Sequence, residues 1–337
     1  MSGARAVSAS IFEVPYDDEA LQTRIRGGLD EVERQLSASI DSGERFVTEV
    51  AVHLLRAGGK RFRPLMVLLA AEFGASDEPG IVPSAVVVEL THLATLYHDD
   101  VMDEAALRRG AQSANARWDN SIAILAGDYL FAQASQILAG LGTEAVRIQA
   151  ETFSRLVQGQ IRETLGPTDS EDPVEHYLSV VADKTGSLIA TAALFGSKTS
   201  GASEDVQQVL TEFGECIGSA FQLADDIIDV ASETGDSGKT PGTDLREGIP
   251  TLSTLFAQRS TDPRDARLNE LLAGPIEDDA DVEEALRLLR AHEAMRQART
   301  YVHSQADDAR ALLAGLPEIP ARAALVSLCD VVVTRIG

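Results

Sequence analysis

Apolar residues recur along this chain with a period near 3.6, and this periodicity limits the possible folds more than any other feature. Residues 19–36 place five apolar side chains on one helical face: Leu21, Ile25, Leu29, Val32 and Leu36. Similar stripes run through residues 83–103, 121–141 and 204–229. This spacing is typical of amphipathic helices, and aromatic residues, which favour strands, make up only 5% of the chain. The sequence therefore predicts an all-α bundle of long helices.

Turn-forming residues interrupt the helical pattern near residues 58–59, 76–80, 166–173 and 235–250. None of these breaks is a long linker rich in proline, glycine and serine. We therefore expect one all-α domain over residues 1–337, in which residues 1–18 form a flexible N-terminal segment.

The charge balance excludes one class of partner. The chain has 29 Lys and Arg against 53 Asp and Glu, a net charge of −24, whereas nucleic-acid binding requires a basic face. The two cysteines, Cys216 and Cys329, are too few for a disulfide framework and are expected to be buried in helices of a protein from a reducing compartment.

The apolar runs indicate where the protein resides. No apolar run approaches the roughly 20 residues of a membrane-spanning helix, and residues 1–18 resemble neither a signal peptide nor a transit sequence. We therefore expect a cytoplasmic protein without a transmembrane segment.

Two aspartate clusters of identical spacing follow apolar helical runs. The first comprises Asp99, Asp100 and Asp103, and the second comprises Asp225, Asp226 and Asp229. The first and last aspartates of each cluster are four residues apart, so they share a helix face and repel one another unless a cation lies between them. Carboxylates suit Mg²⁺, which commonly binds through one or two carboxylates together with substrate phosphates. One cluster alone could be a solvated helix end, but two matching clusters indicate a magnesium–phosphate site if their helices are neighbours.

Basic residues that could bind an anion are grouped in several short segments despite the acidic balance. Residues 58–64 read Gly-Gly-Lys-Arg-Phe-Arg-Pro, and further cations follow at Arg108, Arg109, Lys184 and Lys239. Arginine presents a fork of donors that can grip a phosphate in two places. Any one of these residues could face solvent, but together they indicate a polyanionic ligand.

The combined motifs resemble those of the all-trans polyprenyl diphosphate synthases. Between about residues 58 and 252 they occur in the order of that family: the 58–64 run, the first aspartate cluster, Arg108-Arg109-Gly110, Lys184-Thr185, Phe221-Gln222, the second aspartate cluster, and Gly238-Lys239. The chain departs from the family at Ile249, where many members have a lysine that contacts phosphate.

The resemblance implies a homodimer with the isoprenoid synthase fold, a bundle of helices around a central cavity. It implies that Mg²⁺ is bound by Asp99, Asp103 and Asp225, with Asp100 and Asp229 as supporting acids. Asp226 is counted with them among the catalytic residues. It maps an allylic diphosphate onto Arg108, Lys184, Gln222 and Lys239, with Thr185 near the reacting carbon. It maps isopentenyl diphosphate onto Lys60, Arg63, His92 and Arg109.

The reaction implied by the resemblance is head-to-tail prenyl transfer. The allylic C–O bond breaks, the double bond of isopentenyl diphosphate attacks the allylic cation, and a proton is lost without a protein nucleophile. His98, beside the first cluster, is expected to support an aspartate by a hydrogen bond and not to act as a base.

Product length is predicted from the helix that carries Asp99. Thr95, Ala94 and Thr91 precede Asp99 by four, five and eight residues, the last roughly 12 Å away at the helical rise. None of the three is aromatic, which predicts an open tunnel and a product of C30 or longer, suited to quinone side chains. Small residues here could equally serve close helix packing, and the helix with Tyr129 and Phe131 could set the floor of the tunnel.

Three other functions remain open. A short-chain synthase would make C15–C20 products. A class I terpene cyclase would also ionise an allylic diphosphate, but it needs no second diphosphate pocket. A non-catalytic partner subunit would be expected to have lost aspartates, and here both clusters are intact.

Overall fold

The computed structural model describes residues 18–232 and 241–336 of the chain. It is 77% helical and 1% strand, which confirms the all-α prediction. Over the described residues, the helices are α1 (Glu19–Ile40), α2 (Arg45–Ala51), α3 (His53–Arg56), α4 (Phe62–Ala71), α5 (Ile81–Met102), α6 (Ala114–Arg117), α7 (Asn120–Leu141), α8 (Thr143–Leu165), α9 (Pro173–Val181), α10 (Ser187–Thr199), α11 (Glu204–Ala231), α12 (Thr243–Glu247), α13 (Leu252–Gln258), α14 (Ala266–Leu271), α15 (Asp279–Ala291), α16 (Glu293–Leu312) and α17 (Pro320–Thr334).

Five short elements complete the description of these residues: two strands, a π-helical turn, and the 3₁₀ turns Pro263–Asp265 and Leu313–Gly315. Strands β1 (Leu107–Arg108) and β2 (Ala111–Gln112) form an antiparallel hairpin, in which Leu107 pairs with Gln112. A π-helical turn, Ala182–Gly186, connects α9 to α10. Such turns are rare and occur frequently at functional sites.

The helices predicted from periodicity are confirmed, with small differences at their ends. The stripe at residues 19–36 belongs to α1, which continues to Ile40 because that residue is also buried on the same face. The stripes at 83–103, 121–141 and 204–229 correspond to α5, α7 and α11.

Contacts between residues divide the described chain into two compact units. The first contains residues 18–151 with Thr191–Thr211 and Leu316–Leu325. Its centre is α5, whose apolar residues are buried nearly all round, packed against α4 and α7. Gly127 of α7 allows a close approach to α5, because a Cβ at this position would lie 2.3 Å from Nε2 of His98.

The second unit contains Thr152–Ala190 and the described parts of residues 212–315 and 326–336. Apolar residues of α11, α13 and α16 form its core, with Phe213, Ile217, Ala257 and Val302 essentially inaccessible. Arg155 on α8 pairs with Asp183 and Glu215, 2.6 Å from each. These ion pairs tie α8 to the π-helical turn and to α11.

The single domain proposed for residues 1–337 stays a prediction. Of the segment predicted to be flexible, residues 1–17 lie outside the described part of the chain. Asp18 is described, and its carboxylate accepts a hydrogen bond from the backbone N–H of Leu21 at 2.6 Å. This residue therefore caps α1.

The two cysteines differ in their surroundings. Both are free thiols. Cys329 is buried as expected, and burial raises its pKa to about 12. The expectation was wrong for Cys216, which is only half-buried. Its thiol donates to the carbonyl oxygen of Gln305 at 3.2 Å.

The expectation that no apolar segment is long enough to cross a membrane was wrong. Asn120–Leu141 and Pro173–Thr199 both reach that length and apolar composition. Within the protein, 61% of the most apolar stretch of Pro173–Thr199 is buried, against 33% for Asn120–Leu141. Core helices of soluble proteins also reach this length and composition, so neither segment is established as a transmembrane helix.

Candidate active site

The loop before α4 brings several arginines of the first unit together. Gly58 and Gly59 have φ values of 95° and 155°, and Arg61 follows with φ of 50°. A non-glycine residue in the left-handed region costs free energy and persists only where its surroundings hold it. A larger residue at position 59 would clash with its neighbours, because a Cβ on Gly59 would lie 2.5 Å from Nη1 of Arg61 and 2.8 Å from Nη1 of Arg109.

Arg61 is buried and is bound by two carboxylates. Its Nη1 donates to Oε1 of Glu89 at 3.1 Å, and its Nε and Nη2 donate to the carboxylate of Glu33. Only 4% of Arg61 and 2% of Glu89 is exposed. Burial alone would lower the pKa of Arg61, but the charges of Glu89 and Glu33 outweigh burial and raise it. Arg61 therefore stays protonated, and the two carboxylates balance its positive charge.

The other basic residues near Arg61 are less fully balanced by acidic side chains. Burial lowers the pKa of Arg63 to about 10, against the opposing charge of Glu89, and the Arg63 Nε is buried without a hydrogen-bond partner. Burial, followed by the charges of Arg63 and Arg109, lowers the pKa of His92 well below its usual value. His92 is therefore neutral at pH 7. Arg63, Arg109 and His92 lie close enough to influence one another electrostatically, and the two guanidinium groups give this region positive charge suited to an anion.

The first aspartate cluster ends α5. Asp100 is fully buried, and its Oδ1 accepts from Nε of Arg108 at 2.5 Å, while the opposite oxygen, Oδ2, has no hydrogen-bond partner. Burial raises the pKa of Asp100 despite the opposing charge of Arg108. The Arg108 Nη2 also lies 3.8 Å from the carboxylate of Asp103. Arg108 therefore joins the hairpin to both carboxylates.

The side chains of His98 and Tyr97 contact residues outside this cluster. Nε2 of His98 lies 3.1 Å from the carbonyl oxygen of Ile124 and 3.5 Å from Oδ1 of Asp128. His98 therefore contacts an aspartate, but one on α7 and outside both clusters. The hydroxyl of Tyr97 donates to the carbonyl oxygen of Val50 at 2.5 Å.

The residues proposed to set product length differ in accessibility. Thr91 and Ala94 are fully buried, and the hydroxyl of Thr91 accepts a hydrogen bond from Nε2 of Gln149 at 2.9 Å. Thr95 is partly exposed and shares its helix face with Asp99, one turn later. Of the three, Thr95 alone is accessible, and the role of all three in setting product length stays a prediction.

The second aspartate cluster, on α11, is part of a polar network in the second unit. Asp226 accepts from the hydroxyl of Tyr177 and, at 2.8 Å, from Nε2 of Gln222. The amide oxygen of Gln222 in turn accepts from the hydroxyl of Thr185 at 3.3 Å. Burial raises the pKa of Asp226 to about 6, although both donors oppose this shift. Asp226 thus orders side chains around the π-helical turn.

The other acids of this cluster contact different partners. Asp225 pairs with the guanidinium of Arg335, which also lies 4.6 Å from the ring centre of Phe221. Asp229 accepts from the backbone N–H of Thr243 at 3.4 Å and of Asp244 at 3.2 Å. Asp229 therefore positions the start of α12.

The two predicted lysine contacts to the allylic diphosphate, Lys184 and Lys239, differ in whether the structure describes them. Lys184 lies on the π-helical turn, and its Nζ is 2.5 Å from the carboxylate of Glu163. Lys239 lies outside the described residues, so its assignment stays a prediction. Ile249, where the resemblance leads one to expect a lysine, donates its backbone N–H to the carbonyl oxygen of Asp244 at 2.9 Å.

The donor chemistry at each cluster suits a divalent metal ion. Among the described residues, no group of three or more His, Cys, Asp or Glu side chains is arranged to hold a metal by itself. A pair of carboxylates on one helix face nevertheless matches a common way of binding Mg²⁺, in which substrate phosphates and water complete the coordination. The residues therefore fit a metal ion that binds together with a phosphorylated ligand. The convergence of the two clusters stays a prediction.

Comparison with known proteins identifies the family. Residues 44–289 match the polyprenyl synthetase family model, and the chain therefore belongs to this family and is a prenyltransferase. It is 48% identical to nonaprenyl diphosphate synthase of Mycobacterium tuberculosis (strain ATCC 25618 / H37Rv), over 99% of this chain and 100% of the relative. It is 41% identical to dimethylallyltranstransferase of the same organism, over 94% of this chain and 97% of the relative.

Solved structures confirm the isoprenoid synthase fold. Geranylgeranyl pyrophosphate synthase from Corynebacterium glutamicum, complexed with calcium and isoprenyl diphosphate, superposes with a TM-score of 0.86 at 48% identity. The match covers 96% of this chain and 100% of that structure. The names of these similar proteins refer to products of different lengths.

Several residues of the site were missed by sequence reasoning. Tyr177, Arg335 and Glu163 contact predicted residues from distant positions in the chain, and no local motif marks them. Glu33 and Glu89 each lie 28 residues from Arg61, one before it and one after it. The single available signal was a glutamate, Glu89, within the otherwise apolar run of α5.

Proposed function

We propose that this prenyltransferase condenses isopentenyl diphosphate with an allylic diphosphate to make an all-trans polyprenyl diphosphate of C30 or longer. The observation that carries this proposal is the grouping of Arg63, His92 and Arg109, which gives their surroundings a positive charge. It lies on different side chains from the aspartate clusters, and a synthase needs this second diphosphate site whereas a cyclase does not.

The second diphosphate site binds by charge and by hydrogen bonding. Arg63 and Arg109 supply positive charge in a partly buried position, where electrostatic attraction is stronger than in water. The neutral imidazole of His92 keeps one N–H donor for a diphosphate oxygen without adding charge. These residues hold isopentenyl diphosphate by its anionic end and leave its double bond free to react.

The aspartate clusters serve the allylic diphosphate. We propose that Asp99, Asp103 and Asp225 hold Mg²⁺, as the family resemblance implies. Bound there, Mg²⁺ would neutralise the charge that develops on the departing diphosphate. Arg108, which is held beside the first cluster by Asp100, is suited to bind the same diphosphate. Lys184, Gln222 and Lys239 complete the proposed contacts.

The growing hydrocarbon chain of the product requires a path along α5. Thr95 is partly exposed one turn before Asp99, and it offers a methyl and a hydroxyl group instead of an aromatic ring. This small side chain supports a long product. A long product in turn supports a role in supplying quinone side chains.

We propose that the protein is a cytoplasmic homodimer. Large apolar residues of α7 and α8 are exposed, including 61% of Leu125, 44% of Val146 and 43% of Ile124. A second copy of the chain would remove this apolar surface from water. Sedimentation analysis should therefore show a dimer, and Leu125→Glu should shift it towards the monomer.

The test is mass spectrometry of products made from labelled isopentenyl diphosphate and several allylic primers with Mg²⁺. Label in polyprenyl diphosphates of C30 or longer is expected, and only when both substrates are present. A hydrocarbon made from the primer alone would support a cyclase. Activity that appears only after addition of a second chain would support a partner subunit. Products limited to C15–C20 would support a short-chain synthase.

A further inference from the structure

The loop that carries Lys60 and Arg63 is fixed by a residue that the proposed chemistry does not use. Arg61 lies between these two residues and adopts the left-handed backbone conformation. It immediately precedes α4, and no side chain caps that helix end. The side chain of Arg61 must therefore provide the interactions that hold this strained position.

The guanidinium of Arg61 joins three parts of the first unit. Glu33 lies on α1 and Glu89 on α5, and Arg61 donates to both carboxylates. Arg61 also lies 3.4 Å from the backbone carbonyl oxygens of Leu55 and Gly58. One side chain thus links two long helices to the backbone of its own loop.

Arg109 shares one of these acceptors. Its Nη1 donates to the carbonyl oxygen of Gly58 and, at 3.3 Å, to that of Leu54. Arg61 and Arg109 therefore approach the same glycine loop, as the close contacts at Gly59 also require. Two neighbouring guanidinium groups repel each other unless acids offset them, and here the buried carboxylate of Glu89 lies close to both.

We infer that Arg61, clamped by Glu33 and Glu89, is a positioning residue that holds Lys60 and Arg63 in place for the diphosphate group of isopentenyl diphosphate. Arg61 does not itself touch the substrate, because its donors are used by Glu33, Glu89 and backbone carbonyls. We call Arg61 with Glu33 and Glu89 the clamp. Within it the guanidinium of Arg61 balances the negative charge of both glutamates, so Arg63 and Arg109 remain available to an anion. This inference rests on the proposed function for the identity of the ligand.

Glu33→Gln is the most informative variant. Glu33 is partly exposed and lines a cavity of about 350 Å³, so the isosteric amide removes charge without leaving an unpaired group in a dry core. Glu31→Gln is the matched control, because Glu31 is also on α1 and pairs with Arg34 at the surface. Simple electrostatics predicts that loss of either acid strengthens anion binding. The clamp predicts the opposite for Glu33 alone.

Calorimetry with isopentenyl diphosphate and steady-state kinetics on the full chain provide the first test. Glu33→Gln should raise the Kd and the KM for isopentenyl diphosphate about tenfold, the effect of one lost charge-assisted hydrogen bond. The KM for the allylic diphosphate should be unchanged. Arg61→Lys should also weaken binding, because one ammonium cannot bridge both acids. Glu33→Asp, which keeps the negative charge, should bind isopentenyl diphosphate more tightly than Glu33→Gln. Unchanged or tighter binding by Glu33→Gln would overturn the inference.

Hydrogen exchange tests the clamp without any substrate. The amides of residues 58–63 should exchange about tenfold faster in Glu33→Gln than in Glu31→Gln. Equal exchange in the two variants would overturn the inference. Failure of the wild-type protein to bind isopentenyl diphosphate would instead refute the proposed function, and the exchange measurement would still decide whether the clamp exists.

Discussion

Arg108→Gln removes the guanidinium that pairs with the buried carboxylate of Asp100. Their Nε and Oδ1 atoms are 2.5 Å apart, with 0% of the Asp100 side chain and 28% of the Arg108 side chain exposed. Removing one partner of a fully buried pair costs about 3–5 kcal/mol. Because Arg108 is partly exposed, we expect the lower end, about 3 kcal/mol at pH 7, or a Tm about 6 °C lower at about 2 °C per kcal/mol.

The double variant Arg108→Gln/Asp100→Asn completes a thermodynamic cycle. Asp100→Asn removes the buried charge itself, so it should cost about 1 kcal/mol and the double variant little more. The assay is thermal and denaturant unfolding of the metal-free protein. Additive losses from the two single variants would refute the idea that the arginine chiefly compensates the buried aspartate.

The pH dependence of Arg108→Gln follows from the protonation of Asp100. Burial already raises the pKa of Asp100 in the folded protein, and Arg108 opposes this shift. Without the arginine the folded pKa rises further, so the native state binds more protons than the unfolded state and stability falls as pH rises through that pKa. The deficit of Arg108→Gln should therefore be largest at pH 8 and shrink towards pH 4. A deficit independent of pH would contradict this explanation.

Three further predictions concern the surroundings of the two clusters. Thr95→Phe should shorten the main product by at least one five-carbon unit by mass spectrometry, whereas Thr95→Val should not; equal product lengths would contradict an open tunnel at this position. Tyr177→Phe removes a donor to Asp226, whose folded pKa of about 6 is already raised by burial. The metal-free variant should therefore lose about 1–2 kcal/mol at pH 8 and less at pH 5, and the reverse order would be inconsistent with the network. Gly127→Ala forces a Cβ to within 2.3 Å of a histidine nitrogen and should cost about 1–3 kcal/mol in unfolding experiments, whereas Gly140→Ala, with open space around it, should be neutral or stabilising.

Local pattern was sufficient to predict the helices and the aspartate clusters. Apolar spacing predicted α1, α5, α7 and α11 because each buries one face or more of a long helix. The four-residue spacing of the aspartates likewise places the first and last members of each cluster on one face. Both predictions depend on residues close together in the chain.

The partners of those residues could not be predicted in the same way. Arg335 is 110 residues from Asp225, and Tyr177 is 49 residues from Asp226. Only tertiary packing brings such pairs together. The same reason explains why Arg61 could be recognised within its motif while its glutamate partners could not.

Divalent-metal dependence of chain elongation tests the central claim most directly. Labelled isopentenyl diphosphate and an allylic primer are incubated with the full chain, first with Mg²⁺, then with excess EDTA, and finally with Mg²⁺ restored. The account predicts label in polyprenyl diphosphate only in the first and last samples. Undiminished incorporation in EDTA would contradict the assignment of the aspartate clusters to a metal-bound diphosphate.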